Sequence, residues 1–124
     1  HGVHAKVVAF IEDMADAYGW ADLAVCRAGA LTLAELTAAG LGAILIPFPS
    51  AVDDHQTANA RWLCEAGAAQ LMPESTLTVE SLANSLAALL RDRAALLGMA
   101  TSARSLARVD AADSVALACI EAGA

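Results

Sequence analysis

The sequence is poor in aromatic and basic residues, and these shortages exclude several classes of protein. Aromatic residues make up 4% of the chain, and seven lysines and arginines stand against fourteen aspartates and glutamates, for a formal net charge of −7. A surface of that sign repels nucleic acid and anionic lipid, so neither is expected as a partner of the bulk surface. No uninterrupted apolar run approaches the roughly 18 residues of a membrane-spanning helix.

Cysteine is also scarce. Cys26, Cys64 and Cys119 are widely spaced and form no C-x-x-C pair. An odd number of cysteines without metal-ligand spacing favours reduced, buried thiols over a disulfide framework. The G-x-G-x-x-G fingerprint that follows the first strand of many dinucleotide-binding domains is absent as well.

The sequence is rich in short apolar runs that alternate with helical patterns. The runs are KVVAF at residues 6–10, LAVC at 23–26, AILIP at 43–47 and AAQLM at 68–72. They are continuously apolar, as expected of strands covered on both faces. Helical patterns separate them, and two of these patterns stop at Gly40 and Gly67. We therefore predict an α/β fold: a parallel, Rossmann-like sheet of about four strands with flanking helices and a helical C-terminal tail.

The turn after the second run is the first candidate site. Gly29 ends the turn, and the amides of Ala30, Leu31 and Thr32 would open the next helix, where they could hold a pyrophosphate. Glu35, one turn further on, could accept hydrogen bonds from a ribose diol. A second interpretation is a capping box, in which Thr32 and Glu35 satisfy the helix backbone instead.

The loop after the third run, PFPSAVDDHQTANA, reaches the same predicted edge of the sheet. Gln56 and Asn59 are three residues apart and share a helix face, where they could read sugar hydroxyls; a solvated helix start explains them equally well. His55 has the chemistry of a general base but no carboxylate partner set by the sequence. Asp53 and Asp54 could cap the helix, and as a metal signal they lack a third ligand.

The end of the first run forms the third candidate site. Phe10 and Ile11 could offer an apolar shelf and a backbone amide to a flat base, or could pack in the core. Met14, Tyr18 and Trp20, which follow it, are interpreted as packing in the core or on a helix face. Arg27, in the turn after the second run, is interpreted as a surface or salt-bridging residue and not as a ligand contact.

Taken together, these motifs resemble a known family. The order FIEDMADAYGWAD, CRAGALTLAE, PFP and HQTANA, over about residues 4–70, is similar to the carboxy-terminal domain of the MurG family of bacterial peptidoglycan N-acetylglucosaminyltransferases. The resemblance implies a GT-B fold of two Rossmann-like domains. It also implies transfer of N-acetylglucosamine from UDP-N-acetylglucosamine to undecaprenyl-pyrophosphoryl-MurNAc-pentapeptide, which converts lipid I to lipid II. Ala28 departs from the family, since many members have serine there.

The resemblance also assigns roles to residues. Ile11 would meet the uracil, with Phe10 beside it, and Glu35 would hold the ribose. The whole implied donor site is Ile11, Ala30, Leu31, Thr32, Leu33, Ala34, Glu35, Gln56 and Asn59. The family needs no metal fixed by the protein, and we expect no metal, no cofactor and no catalytic residue here.

The same resemblance suggests that residues 1–124 are a partial carboxy-terminal, donor-binding domain without the amino-terminal acceptor domain. We expect such a piece to be inactive alone and to self-associate through apolar surface at its sheet edge. The whole enzyme would be cytoplasmic and peripheral on the inner face of the cell membrane. The alternative is a non-catalytic nucleotide-sugar-binding subunit that needs a separate membrane-bound partner chain.

Overall fold

Three short parallel strands form the centre of the structure. The strands are β1 (Ala24–Cys26), β2 (Ala43–Leu45) and β3 (Ala69–Leu71), in the order β1-β2-β3. Val25 lies opposite Ile44, which in turn lies opposite Gln70. The computed structural model describes residues 5–9, 11–49 and 55–107.

Helices connect the strands and then form a tail. They are α1 (Met14–Trp20), α2 (Ala30–Ala39), α3 (His55–Glu65), α4 (Val79–Arg91) and α5 (Arg93–Ser105), with a 3₁₀ turn at Glu74–Thr76. Because β1, β2 and β3 run parallel, α2 and α3 must return the chain to the end of the sheet at which the next strand begins. The predicted α/β alternation is therefore confirmed in the described residues.

The middle strand divides the core into two layers. Ala43 and Leu45 join a buried cluster to which α2 and α3 contribute leucines and alanines. Ile44 points the other way and is buried with Leu89 of α4 and Met99 of α5. This alternation places helices on both faces of the sheet, which is why the strand is apolar along its whole length.

The ends of two helices depend on glycine, as predicted. Gly40 follows α2 with a φ of 67°, and Gly67 follows α3 with a φ of 81°; both lie in the left-handed region that favours glycine. The amide of Gly40 bonds back to the carbonyl groups of Leu36 and Thr37. These turns direct the chain straight into β2 and β3.

One predicted strand is wrong. Residues 6–9 are not a strand, and Val7 is 90% exposed. An apolar run becomes a strand only where a neighbour accepts its backbone hydrogen bonds, and the sheet in the described residues places none beside this segment. The sheet there has three strands rather than about four. Phe10 lies outside the described residues.

The tail agrees with prediction as far as the structure describes it. Thr78 caps α4, and its hydroxyl accepts from the amide of Ser81 at 2.9 Å while the Ser81 hydroxyl accepts from the amide of Thr78 at 3.0 Å. Asp92 caps α5 in turn. The rest of the predicted helical tail, after residue 107, lies outside the described residues.

Candidate functional site

The loops after β1 and β2 meet at the carboxyl end of the sheet, as their topology predicted. Gln56, in the first turn of α3, joins them: its Oε1 accepts from the amide of Ala28 at 3.3 Å and from the amide of Phe48 at 2.8 Å. Asn59, one turn later, donates from Nδ2 to the carbonyl of Ala28 at 3.3 Å. The beginning of α3 is thus fixed onto both loops.

The beginning of α2 faces this edge without a capping side chain. Gly29 is the N-cap residue and has extended backbone angles but no side chain to accept from the first amides. The amides of Ala30, Leu31 and Thr32 therefore open the helix uncapped by any side chain of the N-cap residue. A helix start of this kind favours an anion.

The capping-box interpretation of this segment is wrong. The helix begins at Ala30, so Thr32 is already its third residue and cannot be its N-cap. Glu35 instead accepts a hydrogen bond from the Tyr18 hydroxyl, at 2.8 Å. The carboxylate is therefore directed toward α1 and not back onto the start of its own helix.

Sequence reasoning missed the role of Tyr18. Its hydroxyl joins α1 to α2, beside a cavity of about 430 Å³ that Glu35 also lines. Burial and, after it, the hydrogen bond to Glu35 raise the pKa of Tyr18 to about 12. Seventeen residues separate the two side chains, and no periodicity links residues on different helices, so the pair could not be found from spacing.

Arg27 ties together the loops that follow all three strands. Its Nη2 lies 2.7 Å from Glu74 Oε1, after β3, and its guanidinium group lies 5.3 Å from the ring centroid of Phe48, after β2. Nη1 lies 3.4 Å from the carbonyl oxygen of Ile46. The predicted salt-bridging role of Arg27 is confirmed.

Four of the remaining candidates lie around a cavity between α2 and α3. Ala30, Leu33, Ala34 and Asn59 line this cavity of about 240 Å³ together with Trp62. Leu33 also belongs to the buried core, with 3% of its surface exposed.

Ile11 lies apart from that cavity, ahead of α1. Its side chain is 43% exposed and lines a larger cavity of about 750 Å³. Asp13 begins α1 by accepting from the amide of Asp16 at 2.9 Å. Ile11 therefore lies in the segment just before the helix that carries Tyr18.

The remaining polar candidates add no second site to the described residues. Cys26 and Cys64 are free thiols, but they are half-buried and not buried as predicted; partial burial raises the pKa of each. Among the described residues no group of three or more histidine, cysteine or acidic side chains could hold a metal ion. His55 is the first residue of α3. Asp53, Asp54 and Cys119 lie outside the described residues.

The described helices are all too short or too polar to cross a bilayer.

Comparison with known proteins identifies relatives of this site and fold. The chain is 65% identical over 117 residues to the UDP-N-acetylglucosamine--N-acetylmuramyl-(pentapeptide) pyrophosphoryl-undecaprenol N-acetylglucosamine transferase of Methylococcus capsulatus, covering 94% of this chain and 33% of that protein. It is 63% identical over 121 residues to the transferase of the same name from Chromohalobacter salexigens, covering 98% and 33%. The chain thus spans about a third of the length of the curated relatives it matches.

Solved glycosyltransferase structures resemble the fold of this chain. A crystal structure of Acinetobacter baumannii MurG superposes with a TM-score of 0.81 at 51% identity, over 89% of this chain and 31% of that one. A glycosyltransferase of kitacinnamycin superposes with a TM-score of 0.58 at 24% identity, over 82% and 26%, and supports the fold alone. The profile of the glycosyltransferase family 28 C-terminal domain matches residues 2–115, and the chain belongs to that family.

Proposed function

We propose that this chain is the donor-binding part of a glycosyltransferase that moves N-acetylglucosamine from UDP-N-acetylglucosamine to undecaprenyl-pyrophosphoryl-MurNAc-pentapeptide. The observation that carries the proposal is the beginning of α2, which opens without a capping side chain on the helix that also carries Glu35. This arrangement lies in a chain that is 65% identical to a transferase whose name states that reaction.

Each part of the donor has a matching group. The amides of Ala30, Leu31 and Thr32 suit the diphosphate, because a helix N-terminus carries partial positive charge and unused donors. The carboxylate of Glu35 suits the ribose diol, because it accepts two hydrogen bonds. The backbone at Ile11 suits the edge of the uracil ring.

Gln56 and Asn59 suit the hydroxyl groups of the sugar. The loop contacts of Gln56 use Oε1, and those of Asn59 use Nδ2. Those contacts do not engage the NH₂ group of Gln56 or the Oδ1 atom of Asn59. One donor and one acceptor, each on a side chain already ordered by the loops, can distinguish the pattern of hydroxyls on a sugar ring.

The same groups would assist the transfer. As the acceptor hydroxyl attacks the anomeric carbon, the bond to the diphosphate breaks and negative charge grows on the departing oxygen. Fixed amides at the beginning of α2 stabilise that charge without reorganising, which lowers the barrier. We assign no catalytic base to the described residues.

Acceptor binding belongs, in this proposal, to a part of the protein other than this domain. The relatives are about three times as long as the matched region, and we propose that residues 1–124 supply the donor half and do not transfer sugar alone. A lipid-linked acceptor would bring the whole enzyme to the inner face of the cell membrane. The names of the relatives favour this transferase over a non-catalytic subunit.

A titration followed by NMR tests donor binding directly. We expect UDP-N-acetylglucosamine to shift the backbone resonances of Ile11, of residues 30–35 and of Gln56. Glu35→Ala should weaken binding about tenfold, the effect of losing hydrogen bonds to a charged group. Glu65→Ala is the charge-matched control, since Glu65 lies at the opposite end of α3 from Gln56.

Two results would contradict the proposal. One is a folded sample whose resonances do not move with UDP-N-acetylglucosamine. The other is equal loss of affinity in Glu35→Ala and Glu65→Ala, which would point to net charge and not to a ribose contact.

A further inference from the structure

We propose that Tyr18 is a positioning residue of the donor site, whose hydroxyl holds one carboxylate oxygen of Glu35 so that the other is presented to the ribose diol. The inference rests on the proposed function, because it explains how the carboxylate named there is oriented. It adds a residue on a different helix, seventeen positions away in the sequence.

The hydrogen bond from Tyr18 involves only one of the two carboxylate oxygens of Glu35. Tyr18 Oη donates to Glu35 Oε2 at 2.8 Å. The bond engages Oε2 and not Oε1, and an ionised carboxylate accepts several hydrogen bonds through its two oxygens. A glutamate side chain loses considerable rotamer freedom when it is ordered. A partner already in place removes much of that cost from ligand binding.

Packing also holds the Tyr18 side chain, which donates this hydrogen bond, in place. The ring of Tyr18 packs against the buried cluster that contains Leu36 of α2, and Cys26 at the end of β1 packs against the same cluster. Burial and the nearby carboxylate raise the pKa of Tyr18 to about 12. The phenol therefore keeps its proton, and remains a donor, at neutral pH.

The position of Glu35 suits a ribose next to a diphosphate. Glu35 follows Leu31 by four residues and Thr32 by three, so all three share one face of α2. In a nucleoside diphosphate the ribose is directly linked to the phosphates, and its base lies on the other side. Ile11 lies on that side in our proposal, just ahead of the helix that carries Tyr18.

Two nucleotides that differ only in the diol provide the test. UDP and 2′,3′-dideoxy-UDP would be titrated calorimetrically into the wild-type chain, Tyr18→Phe, Glu35→Gln and the double variant. We expect Tyr18→Phe to weaken UDP binding about tenfold, by loss of one hydrogen bond to a charged group. Binding of the dideoxy nucleotide should not change, and Tyr18→Phe should add no loss in the Glu35→Gln background.

A matched control separates positioning from general loosening. Thr101→Val removes a hydroxyl that donates to the carbonyl of Leu97 at 2.8 Å on α5, and it should leave both affinities unchanged. A measurement without any variant uses the ring resonances of Tyr18, the only tyrosine in the chain. They should shift with UDP and not with the dideoxy nucleotide.

The outcomes distinguish failure of this inference from failure of the proposed function. If UDP binds and Tyr18→Phe weakens both nucleotides equally, Tyr18 has only a structural role and the inference is overturned. Identical shifts of the Tyr18 ring with both nucleotides would overturn it too. If the folded wild-type chain binds neither nucleotide, the proposed function and the inference fall together.

Discussion

Tyr18 is the single tyrosine of the chain, so its titration can be followed without interference from another phenol. Burial and the Glu35 carboxylate raise its pKa to about 12, against about 10 for an exposed tyrosine. Glu35→Gln removes the negative charge beside Tyr18 but keeps a hydrogen-bond acceptor. We therefore expect the midpoint of the Tyr18 titration to fall, but to stay above 10 because burial remains. Tyrosinate absorbance against pH measures it. An unchanged midpoint would show that the carboxylate does not face the hydroxyl in solution.

The same shift predicts how stability depends on pH. Above about pH 10 the unfolded chain gives up the tyrosine proton while the folded chain keeps it. The contribution of Tyr18 is therefore fully present below about pH 10 and is lost as pH rises toward about 12. The free energy of unfolding, measured in urea over this pH range, should fall more steeply with pH for wild type than for Tyr18→Phe. Equal slopes would contradict the prediction.

At the level of packed elements, α5 lies close to the chain at Gly42, just ahead of β2. A Cβ atom added there would lie 2.7 Å from the Cβ atom of Met99. Gly42→Ala should therefore cost about 1–3 kcal/mol of unfolding free energy through overpacking. Chemical denaturation measures it.

Gly98 is the matched control for that change. It lies inside α5, and in the described part of the chain no atom outside its neighbours and its own helix backbone lies within 4 Å of an added Cβ atom. Gly98→Ala should stabilise the protein by about 0.5–1 kcal/mol, because alanine favours helix over glycine. If both variants were stabilised, the close approach of α5 to Gly42 would not exist in solution.

Prediction of the elements succeeded where local rules suffice. Glycines follow the ends of α2 and α3, and Thr78 caps the start of α4, because capping and left-handed turns depend on residues adjacent in sequence. The strand predicted at the first apolar run was wrong over residues 6–9, because a strand also needs a neighbouring strand, which only the tertiary structure supplies.

At the scale of the whole molecule, the sheet is open at β1. This strand is an edge of the described sheet, and Val25 on it is 41% exposed. Trp20, just before β1, is 85% exposed. Open apolar edges favour pairing with another chain, so we expect reversible self-association at high concentration.

Sedimentation velocity over a range of concentrations measures that association. Val25→Lys should weaken it, because a lysine on an edge strand disfavours edge-to-edge pairing. Glu80→Lys, on the exposed start of α4, introduces the same side chain away from the edge. A monomeric mass at every concentration, or equal weakening by both variants, would contradict pairing through β1.

Composition and spacing are enough to predict the class of fold and the end of the sheet at which the polar loops meet. Continuous apolar runs between helices are typical of a parallel sheet, and a parallel sheet brings the carboxyl ends of its strands to one side. The salt bridge of Arg27 to Glu74 and the hydrogen bond of Tyr18 to Glu35 follow only from the packed fold. Spacing along the chain governs contacts within one helix or turn, whereas these pairs lie on different elements and meet only when the core has packed.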